Sequence, residues 1–455
     1  MLASVLRLAN LRGELFASTF SYGVTSAIKL VSSLVLTRLL SPSAYGVFGI
    51  LISLVFITEM MSDLATTALL IRHPRGGETR FIHTLWTVRL IRSTLNFGLL
   101  FVAAPVLAHL YETPVLTPAL RIFSVQFLLS GLQTLSFSLA QRDRKARINN
   151  YAELIAGSLS TVFTIAMAMI FKNYLALIFG SLMNRALLMI GSFFFYRNVG
   201  VRIAFDRQAI TEQFKFARFA LPSSLLTIVL SQYDKLLIVK LFSLAVLGVY
   251  TIAGNILGPV AGVIVHNARI ILYARCAEYF RVDATTARAR YYAENTRLLL
   301  VGVMLPALLA GCAPVFVAVL YDARYAGAGI ILVWMGLGTI VGAFQNASEN
   351  LLVASGRTHF ILVGNVIRLC TVVPAALLGA HLFGFAGFLW FAQGSALLPL
   401  SYYFYKQGTY GLLDLPNELR RLAAALGLFL LCLAAGHLLL AAVPPGGLHL
   451  HLRRH

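Results

Sequence analysis

The sequence contains RLLSPSAYGVFGI at residues 38–50 and a variant of it, KLFSLAVLGVYTI, at residues 240–252. The two segments are 202 residues apart and share five of thirteen residues. We therefore expect the second half of the chain to be a copy of the first. Such a duplication is typical of membrane transporters, whose two repeats move against each other around a shared central site.

The composition indicates an integral membrane protein. The chain has 455 residues, of which 59% are hydrophobic and 12% are charged, and its mean hydropathy is +0.81. Soluble domains are much less apolar than this. The apolar runs have the length of about 20 residues that a membrane-spanning helix needs, and they lack the alternation typical of a membrane β-barrel.

The hydrophobic pattern predicts thirteen membrane helices. We expect them at residues 16–39, 44–69, 85–108, 115–139, 151–171, 175–196, 218–242, 245–268, 297–320, 328–352, 359–381, 384–405 and 419–442. The last segment either spans the membrane or re-enters it, so the side on which the C-terminus lies is open. The first run lacks a cleavage site for a signal peptide and is expected to remain as the first helix.

The basic residues predict the orientation. Arginine and lysine are concentrated in alternate connections, near residues 72–80, 142–147, 197–215 and 269–290, and are scarce in the connections between these. Positive loops stay on the cytoplasmic side, so we expect a cytoplasmic N-terminus in a bacterial inner membrane. The formal net charge of +20 thereby follows from the topology and requires no nucleic acid partner, and attraction to the anionic head groups of the lipid bilayer is expected as a secondary effect.

The predicted helices divide into two pseudo-symmetric halves. We expect an all-α polytopic membrane protein in which helices one to six and seven to twelve form two halves of the same orientation, followed by one or two extra C-terminal helices. We expect the first bundle at 1–196, a cytoplasmic linker at 197–217, the second bundle at 218–405, and an extra membrane helix and tail at 406–455. The linker pattern fits either an interfacial amphipathic helix or a plain polar connection.

The sequence carries no sign of an enzyme. It lacks the phosphate-binding, zinc-protease and serine-hydrolase motifs, and no outward loop is long enough to hold a glycan acceptor. Its four cysteines, Cys276, Cys312, Cys370 and Cys432, are isolated in the sequence and predict neither a disulfide framework nor a metal site. We therefore expect no cofactor.

Several short motifs resemble one transporter family in their order and spacing. They are LLSPSAYG at 39–46, SDL at 62–64, QRDR at 141–144, YDKLLI at 233–238 with LGVY at 247–250, and ASENLLVASGR at 347–357. Together they resemble the Wzx-type polysaccharide transporters, which are lipid-linked oligosaccharide flippases of the multidrug/oligosaccharidyl-lipid/polysaccharide superfamily. The resemblance covers residues from about 15 to about 405.

The resemblance implies two pseudo-symmetric six-helix bundles around a central cavity, and an alternating-access flippase. Its cargo would be a polyprenyl-pyrophosphate-linked glycan, turned to the outer leaflet for O-antigen, capsule or exopolysaccharide assembly, with a polysaccharide polymerase and chain-length machinery as further partners. Three alternatives remain open: a multidrug efflux antiporter of the same fold, a peptidoglycan-precursor flippase, and a membrane enzyme of polysaccharide assembly.

Ionisable residues deep in predicted helices mark candidate sites. Burying one near the bilayer centre costs at least about 2.5–3.5 kcal/mol, so each should face protein or a watery cavity. We expect Lys29, Arg185 and Lys235, together with the shallower Arg368, to contact an anionic cargo in the cavity. Asp234 is a candidate for coupling transport to a proton or sodium gradient.

Shallower charges predict a gate or structural ion pairs. Arg89 and Arg92 share one face of the third helix and match Asp63 in depth. In the second half, Glu349 is placed to meet Arg368. Ser41 is expected to cap the second helix with Pro42 as its first residue, while Gly46 and Gly248 would allow close helix packing.

Overall fold

The computed structural model describes residues 23–145, 147–196, 200–267, 272–283 and 286–442, so the predicted C-terminal tail beyond 442 lies outside the described residues. Within these ranges the chain is helical and contains no β-strand. It forms two compact units, which divide after Gly248. The bundle boundaries expected at 196 and 218 remain predictions.

The first unit is built from nine helices among the described residues. They are α1 (23–39), α2 (Pro42–Met61), α3 (Thr66–Arg72), α4 (Thr79–Leu110), α5 (Leu116–Leu132), α6 (Ser136–Arg142), α7 (Arg147–Phe171), α8 (Tyr174–Phe194) and α9 (Arg207–Leu241). One of its cores packs Leu70, Phe81 and Leu85 with Leu139 and with Ala209 from α9.

Helix α10 (Leu244–Asn267) starts in the first unit and continues in the second. The remaining helices of the second unit are α11 (Tyr273–Val282), α12 (Ala287–Gly311), α13 (Ala313–Leu320), α14 (Ala328–Ala354), α15 (His359–Gly394), α16 (Leu397–Thr409) and α17 (Leu415–Ala442). The main core of this unit joins α12, α14, α16 and α17, and includes Val303, Phe344, Leu400 and Phe429.

Helices occupy each of the thirteen predicted intervals within the described residues. Eight helices there are long and apolar enough to cross a membrane, or up to ten if each of two bent pairs is a single span. The bent pairs are α5 with α6, at 53°, and α12 with α13, at 59°. The chain is therefore a multi-pass membrane protein, while the number thirteen remains a prediction.

A turn divides α15 where two spans were predicted. Phe383 and Gly384 leave the helical conformation, and Gly384 has a φ of 62°. Gly379 and Gly387 lie on opposite sides of this turn, and a Cβ added at Gly379 would lie 2.2 Å from the carbonyl oxygen of Gly387. The two parts of α15 thus pack backbone against backbone, as expected for separate helices at 359–381 and 384–405.

The repeated segment forms the start of α2 as the sequence predicts. Ser41 is the N-cap, its hydroxyl accepts a hydrogen bond from the Ala44 backbone N–H at 3.3 Å, and Pro42 is the first helical residue. A Cβ added at Gly46 would lie 1.8 Å from the Leu244 carbonyl oxygen, and one at Gly248 would lie 1.8 Å from that of Pro42. The predictions of the cap and of close packing at both glycines are confirmed.

The linker is extended before it becomes helical. Residues 200–206 have no regular structure, and α9 starts at Arg207 with Asp206 as its N-cap. The N–H of Arg202 donates to His83 Nδ1 at 3.3 Å, and that of Ala204 donates to the Thr87 hydroxyl at 3.1 Å. This strap, residues 200–206, is therefore bound to α4, and residues 207–217 form the first turns of α9.

Candidate substrate cavity

Two of the membrane helices predicted in the first unit, at 44–69 and 115–139, are interrupted on the side that the sequence predicts to be cytoplasmic. Residues 62–65 separate α2 from α3, and residues 133–135 separate α5 from α6. In the first break, Ala65 has a φ of 49°, and its N–H donates to Asp63 Oδ1 at 3.0 Å. Irregular backbone is tolerated at membrane depth where it is buried in protein or lines a water-filled cavity.

Side-chain contacts join the segments around the two breaks. The hydroxyls of Thr67 and Ser138 are 3.0 Å apart, which connects α3 to α6. Asn96 of α4 donates to the Ser62 hydroxyl at 2.7 Å. Both breaks therefore belong to one polar region, of the kind that forms binding sites in transporters with discontinuous helices.

Two adjoining cavities open in this region, with volumes of about 460 Å³ and about 230 Å³. Thr67 and Arg89 contribute to the walls of both. The larger cavity also contains Glu59, Asp63, Arg92 and Ser130 in its walls. The smaller one is lined by groups that can hydrogen-bond or carry charge, among them Gln133, Thr134, Ser138, Gln141, Asn149, Glu153 and Arg185.

Arg92 and Arg89 are held differently. Arg92 Nη1 lies 3.3 Å from Asp63 Oδ1 and 3.3 Å from the Ser62 carbonyl oxygen, so it satisfies both a carboxylate and the backbone of the break. Arg89 Nη2 instead donates to Gln133 Oε1 at 3.2 Å. The charges that act on Arg89 are those of Arg92, Glu59 and Arg185. The hydrogen-bond partner of Arg89 is therefore uncharged, while both positive and negative side chains act on its guanidinium from further away.

Three ionisable groups in the cavity walls are left without bonded partners. Within the described part of the chain, the side chains of Arg185, Glu59 and Glu153 make no hydrogen bond or ion pair. The walls contain three guanidinium groups and three carboxylates, and one pair of these is engaged between Arg92 and Asp63. The cavity can thus offer both cationic and anionic contacts to a polar ligand.

The other deep cations predicted in the first unit lie outside the walls of these two cavities. Lys29 is exposed on α1. Lys235 is partly buried on α9, and its Nζ donates to Gln232 Oε1 at 3.1 Å. Asp234 is partly buried beside it. Their contact with cargo or ions remains a prediction.

Glu349 and Arg368 lie in the second unit. Glu349 Oε1 accepts a hydrogen bond from the Tyr403 hydroxyl at 3.0 Å, and the charge of Arg368 acts on this carboxylate. The two side chains do not approach within the 4.0 Å of an ion pair. Arg368 is exposed on α15. Glu349 is therefore held by a tyrosine hydroxyl, with the arginine as a more distant counter-charge.

Sequence reasoning missed the two unbonded carboxylates. Glu59 lies in an otherwise apolar stretch of α2, and Glu153 lies near the start of α7. A search for every ionisable group within the apolar runs, rather than for deep cations, would have found Glu59. Among the described residues, no group of three or more His, Cys, Asp and Glu side chains is placed to hold a metal ion.

The fold and the cavity define a duplicated, all-helical membrane protein with a charged internal site. Residues 35–354 match the family described as "Polysaccharide biosynthesis protein", and the chain belongs to this family. The predicted family resemblance is confirmed.

Two curated bacterial relatives are each 22% identical to the chain. The teichuronic acid biosynthesis protein TuaB of Bacillus subtilis aligns over 66% of this chain and 62% of its own length. The succinoglycan biosynthesis transport protein ExoT of Rhizobium meliloti aligns over 69% of this chain and 63% of its own length. The match thus spans somewhat less than two thirds of either relative. These relatives support a multi-pass bacterial membrane protein.

Solved structures confirm the fold class. The lipid II flippase MurJ in an inward closed conformation has a TM-score of 0.70 and 12% identity, over 94% of each chain. A multidrug resistance MATE family transporter in an inward-facing conformation has a TM-score of 0.64 and 13% identity, over 89% of this chain and 95% of the other. At these identities the likeness shows the two-lobe helical fold alone.

Proposed function

We propose that this protein is a flippase for a polyprenyl-pyrophosphate-linked glycan. It would carry the glycan from the cytoplasmic to the outer leaflet of the inner membrane by alternating access, for O-antigen, capsule or exopolysaccharide assembly. The family of polysaccharide biosynthesis proteins supports the pathway, the transport protein ExoT supports the kind of activity, and the flippase fold supports the mechanism. In this proposal the N-terminus lies in the cytoplasm, and the protein catalyses no chemical reaction.

The observation that carries the proposal is the unbonded Arg185 guanidinium in a cavity whose walls are otherwise rich in amides and hydroxyls. A guanidinium can bind phosphate or sugar carboxylate oxygens with two parallel hydrogen bonds. Amides and hydroxyls such as Gln141, Asn149 and Ser138 match the hydroxyls of a sugar. The polyprenyl tail can stay in lipid beside the apolar outer helix faces while the head group uses this cavity.

The rival efflux antiporter fits the cavity less well. A cationic drug would favour an excess of carboxylates, whereas the walls contain as many guanidinium groups as carboxylates. Coupling to a proton or sodium gradient through Asp234, and cooperation with a polymerase and chain-length machinery, belong to the proposal.

The test is the surface glycan of a strain in which this protein is the only flippase of its pathway. Arg185→Gln should abolish the surface glycan and leave lipid-linked intermediates on the cytoplasmic side, because the head group loses its free cationic contact. Arg147→Gln is the matched control, since Arg147 is exposed at the start of α7 and lies outside both cavity walls.

Membrane levels of both variants should equal those of the original protein. Normal surface glycan in Arg185→Gln would contradict the assignment of this cavity. Loss of an efflux phenotype in the deletion strain, with glycan unchanged, would instead favour the antiporter.

A further inference from the structure

A cluster of two cations and several aromatic rings lies in the second unit, where α15 begins and α16 ends. Lys406, near the end of α16, places its Nζ 5.2 Å from the ring centroid of Phe360, 5.8 Å from that of Tyr402 and 5.1 Å from that of Tyr405. Three rings thus surround one ammonium group. This geometry positions the charge without neutralising it, because a cation above an aromatic face keeps its full charge.

Arg357 extends the same cluster. It follows α14, and its guanidinium carbon lies 3.9 Å from the centroid of the Tyr410 ring. The Tyr410 and Phe360 ring centroids are 5.7 Å apart, and the His359 ring lies 3.9 Å from Phe360. We name the group of seven residues the α15–α16 cluster: Arg357, His359, Phe360, Tyr402, Tyr405, Lys406 and Tyr410.

The two cations of the cluster lack acidic partners. Among the described residues, the side chains of Arg357 and Lys406 form no ion pair and no hydrogen bond. The nearby carboxylates are engaged elsewhere, Glu349 with Tyr403 and Asp414 with Arg288 and Asn417. Two partly buried positive charges therefore have no bonded counter-charge among the described residues.

The surroundings indicate a membrane interface rather than a water-filled cleft. Tyr405 is 67% exposed and Tyr410 is 43% exposed, and both lie where α16 ends. Exposed leucines lie close to the cluster in the sequence. They are Leu362 in the first turn of α15, and Leu415 and Leu419 in the first turns of α17. Tyrosines at the ends of membrane helices mark the level of the lipid head groups.

We propose that the α15–α16 cluster binds the phosphate of an anionic phospholipid head group. Arg357 and Lys406 would contact the phosphate oxygens, the tyrosine hydroxyls would add hydrogen bonds, and the acyl chains would lie against the exposed leucines. The predicted topology places this lipid in the cytoplasmic leaflet. Basic pockets between membrane helices on this side bind such head groups by the same chemistry.

The test measures lipid binding by the purified full chain in detergent, without any transport assay. Phosphatidylglycerol and phosphatidylcholine are added in turn, and bound lipid is counted by native mass spectrometry. We expect phosphatidylglycerol to bind more tightly, and Arg357→Gln or Lys406→Gln to weaken it about fivefold each, which corresponds to about 1 kcal/mol per cation near the surface.

The double variant Arg207→Gln/Lys215→Gln is the matched control. Each of its two single variants, Arg207→Gln and Lys215→Gln, is compared with the single cluster variants, because each removes one charge from an exposed cation on the same predicted side and outside the cluster. Lys406→Met provides a second variant, because it keeps the aliphatic stem among the three rings. If Lys406→Gln unfolds at a lower temperature than the original protein without lipid, the Lys406→Met variant must show the same loss of binding.

Three results would overturn the proposal. Equal binding of the two lipids would show that the head-group charge is not recognised. If phosphatidylglycerol binding is weakened equally in the cluster variants and in the control, the lipid responds only to the general positive charge of the surface. Tighter binding of polyprenyl pyrophosphate than of phosphatidylglycerol, lost in the same variants, would assign the cluster to the cargo instead of a phospholipid.

Discussion

At the residue scale, one buried arginine, paired with a glutamate of its own helix, holds α17, the last described helix, to its unit. Arg421 and Glu418 of α17 have side chains that are 3% and 4% exposed, and their charged atoms are 3.2 Å apart. Arg421 also donates to the Tyr292 carbonyl oxygen at 3.0 Å and, from Nε, to the Thr296 hydroxyl at 2.8 Å. Helix α17 is thereby fixed to α12, which its apolar sequence alone could not predict.

Arg421→Leu should destabilise the protein strongly. It leaves the Glu418 carboxylate buried without its counter-charge, a change that typically costs about 3–5 kcal/mol. The measurement is the thermal unfolding midpoint of the purified protein in detergent. Arg420→Leu, at an exposed neighbouring position, should have little effect. The double variant Arg421→Leu/Glu418→Leu should recover most of the loss, and failure to recover would mean that the pairing is not the cause.

At the element scale, the strap shows how an irregular segment is fixed by side chains. Arg75 lies 2.7 Å from Asp206 and 2.9 Å from Glu78, so it joins the strap to the turn before α4. Asp206 also accepts the N–H of Gln208 at 3.0 Å and so caps α9. The hydrogen bond from Arg75 is the main cause that lowers the pKa of the Asp206 carboxyl below its usual range.

This lowered pKa predicts a pH dependence. A carboxyl whose pKa is lower in the folded state stabilises the fold above its unfolded pKa of about 3.9, and this contribution is lost as the pH falls through the folded pKa. Asp206→Asn keeps an N-capping side chain but removes the charge. The variant should therefore unfold at a lower temperature than the original protein at pH 7.

The two unfolding midpoints should begin to converge as the pH falls below the unfolded pKa of about 3.9, and they should meet once the pH lies below the lowered folded pKa, where Asp206 is protonated in the original protein as well. A difference that stays constant from pH 7 to pH 3 would show that the charge on Asp206 is not responsible. Arg207→Gln serves as the control, since Arg207 is adjacent but exposed and its side chain bonds to no described residue.

The helices were predictable from the sequence, whereas their interruptions were not. Long apolar runs are enough to predict helices, because a membrane leaves no other way to satisfy the backbone. The predicted second helix at 44–69 nevertheless stops at Met61, where Arg92 from α4 binds the Ser62 carbonyl oxygen. That stop depends on a residue 30 positions away. Likewise α9 starts at Arg207 rather than 218, because Asp206 caps it and Ala209 packs into the core.

Some residues of the candidate cavity could be predicted from the sequence, but their arrangement around one cavity could not. Arg185 and Arg89 could be selected because a charge in an apolar run must face protein or water. That the two line one cavity depends on how α4 packs with α5 and α8, which spacing within a single helix does not determine. The expected contact of Lys29 with cargo rests on the depth of this residue in its apolar run, and it remains a prediction.

At the scale of the whole chain, the duplication has a structural counterpart. Gly46 meets the backbone of Leu244, and Gly248 meets that of Pro42. Residues 42 and 244 are equivalent in the repeat, as are 46 and 248, because each pair is 202 residues apart. The contact is therefore reciprocal, as in a two-fold interface where the same patch is used twice. The repeated segment contains the two positions that let its copies approach so closely.

Alanine at either glycine should disrupt this contact to a similar extent. Each new Cβ would lie 1.8 Å from a backbone oxygen, which cannot move as the end of a flexible side chain can, so the two segments must separate. We expect Gly46→Ala and Gly248→Ala to lower the unfolding midpoint and the surface glycan together. Gly98→Ala is the control, because nothing lies within 4 Å of a Cβ added at Gly98. Since alanine favours a helix more than glycine does, this change should stabilise the folded protein by about 1 kcal/mol. If only one of the two repeated glycines proves sensitive, the contact is not used symmetrically, and the duplication would then describe the origin of the sequence rather than a working symmetry of the protein.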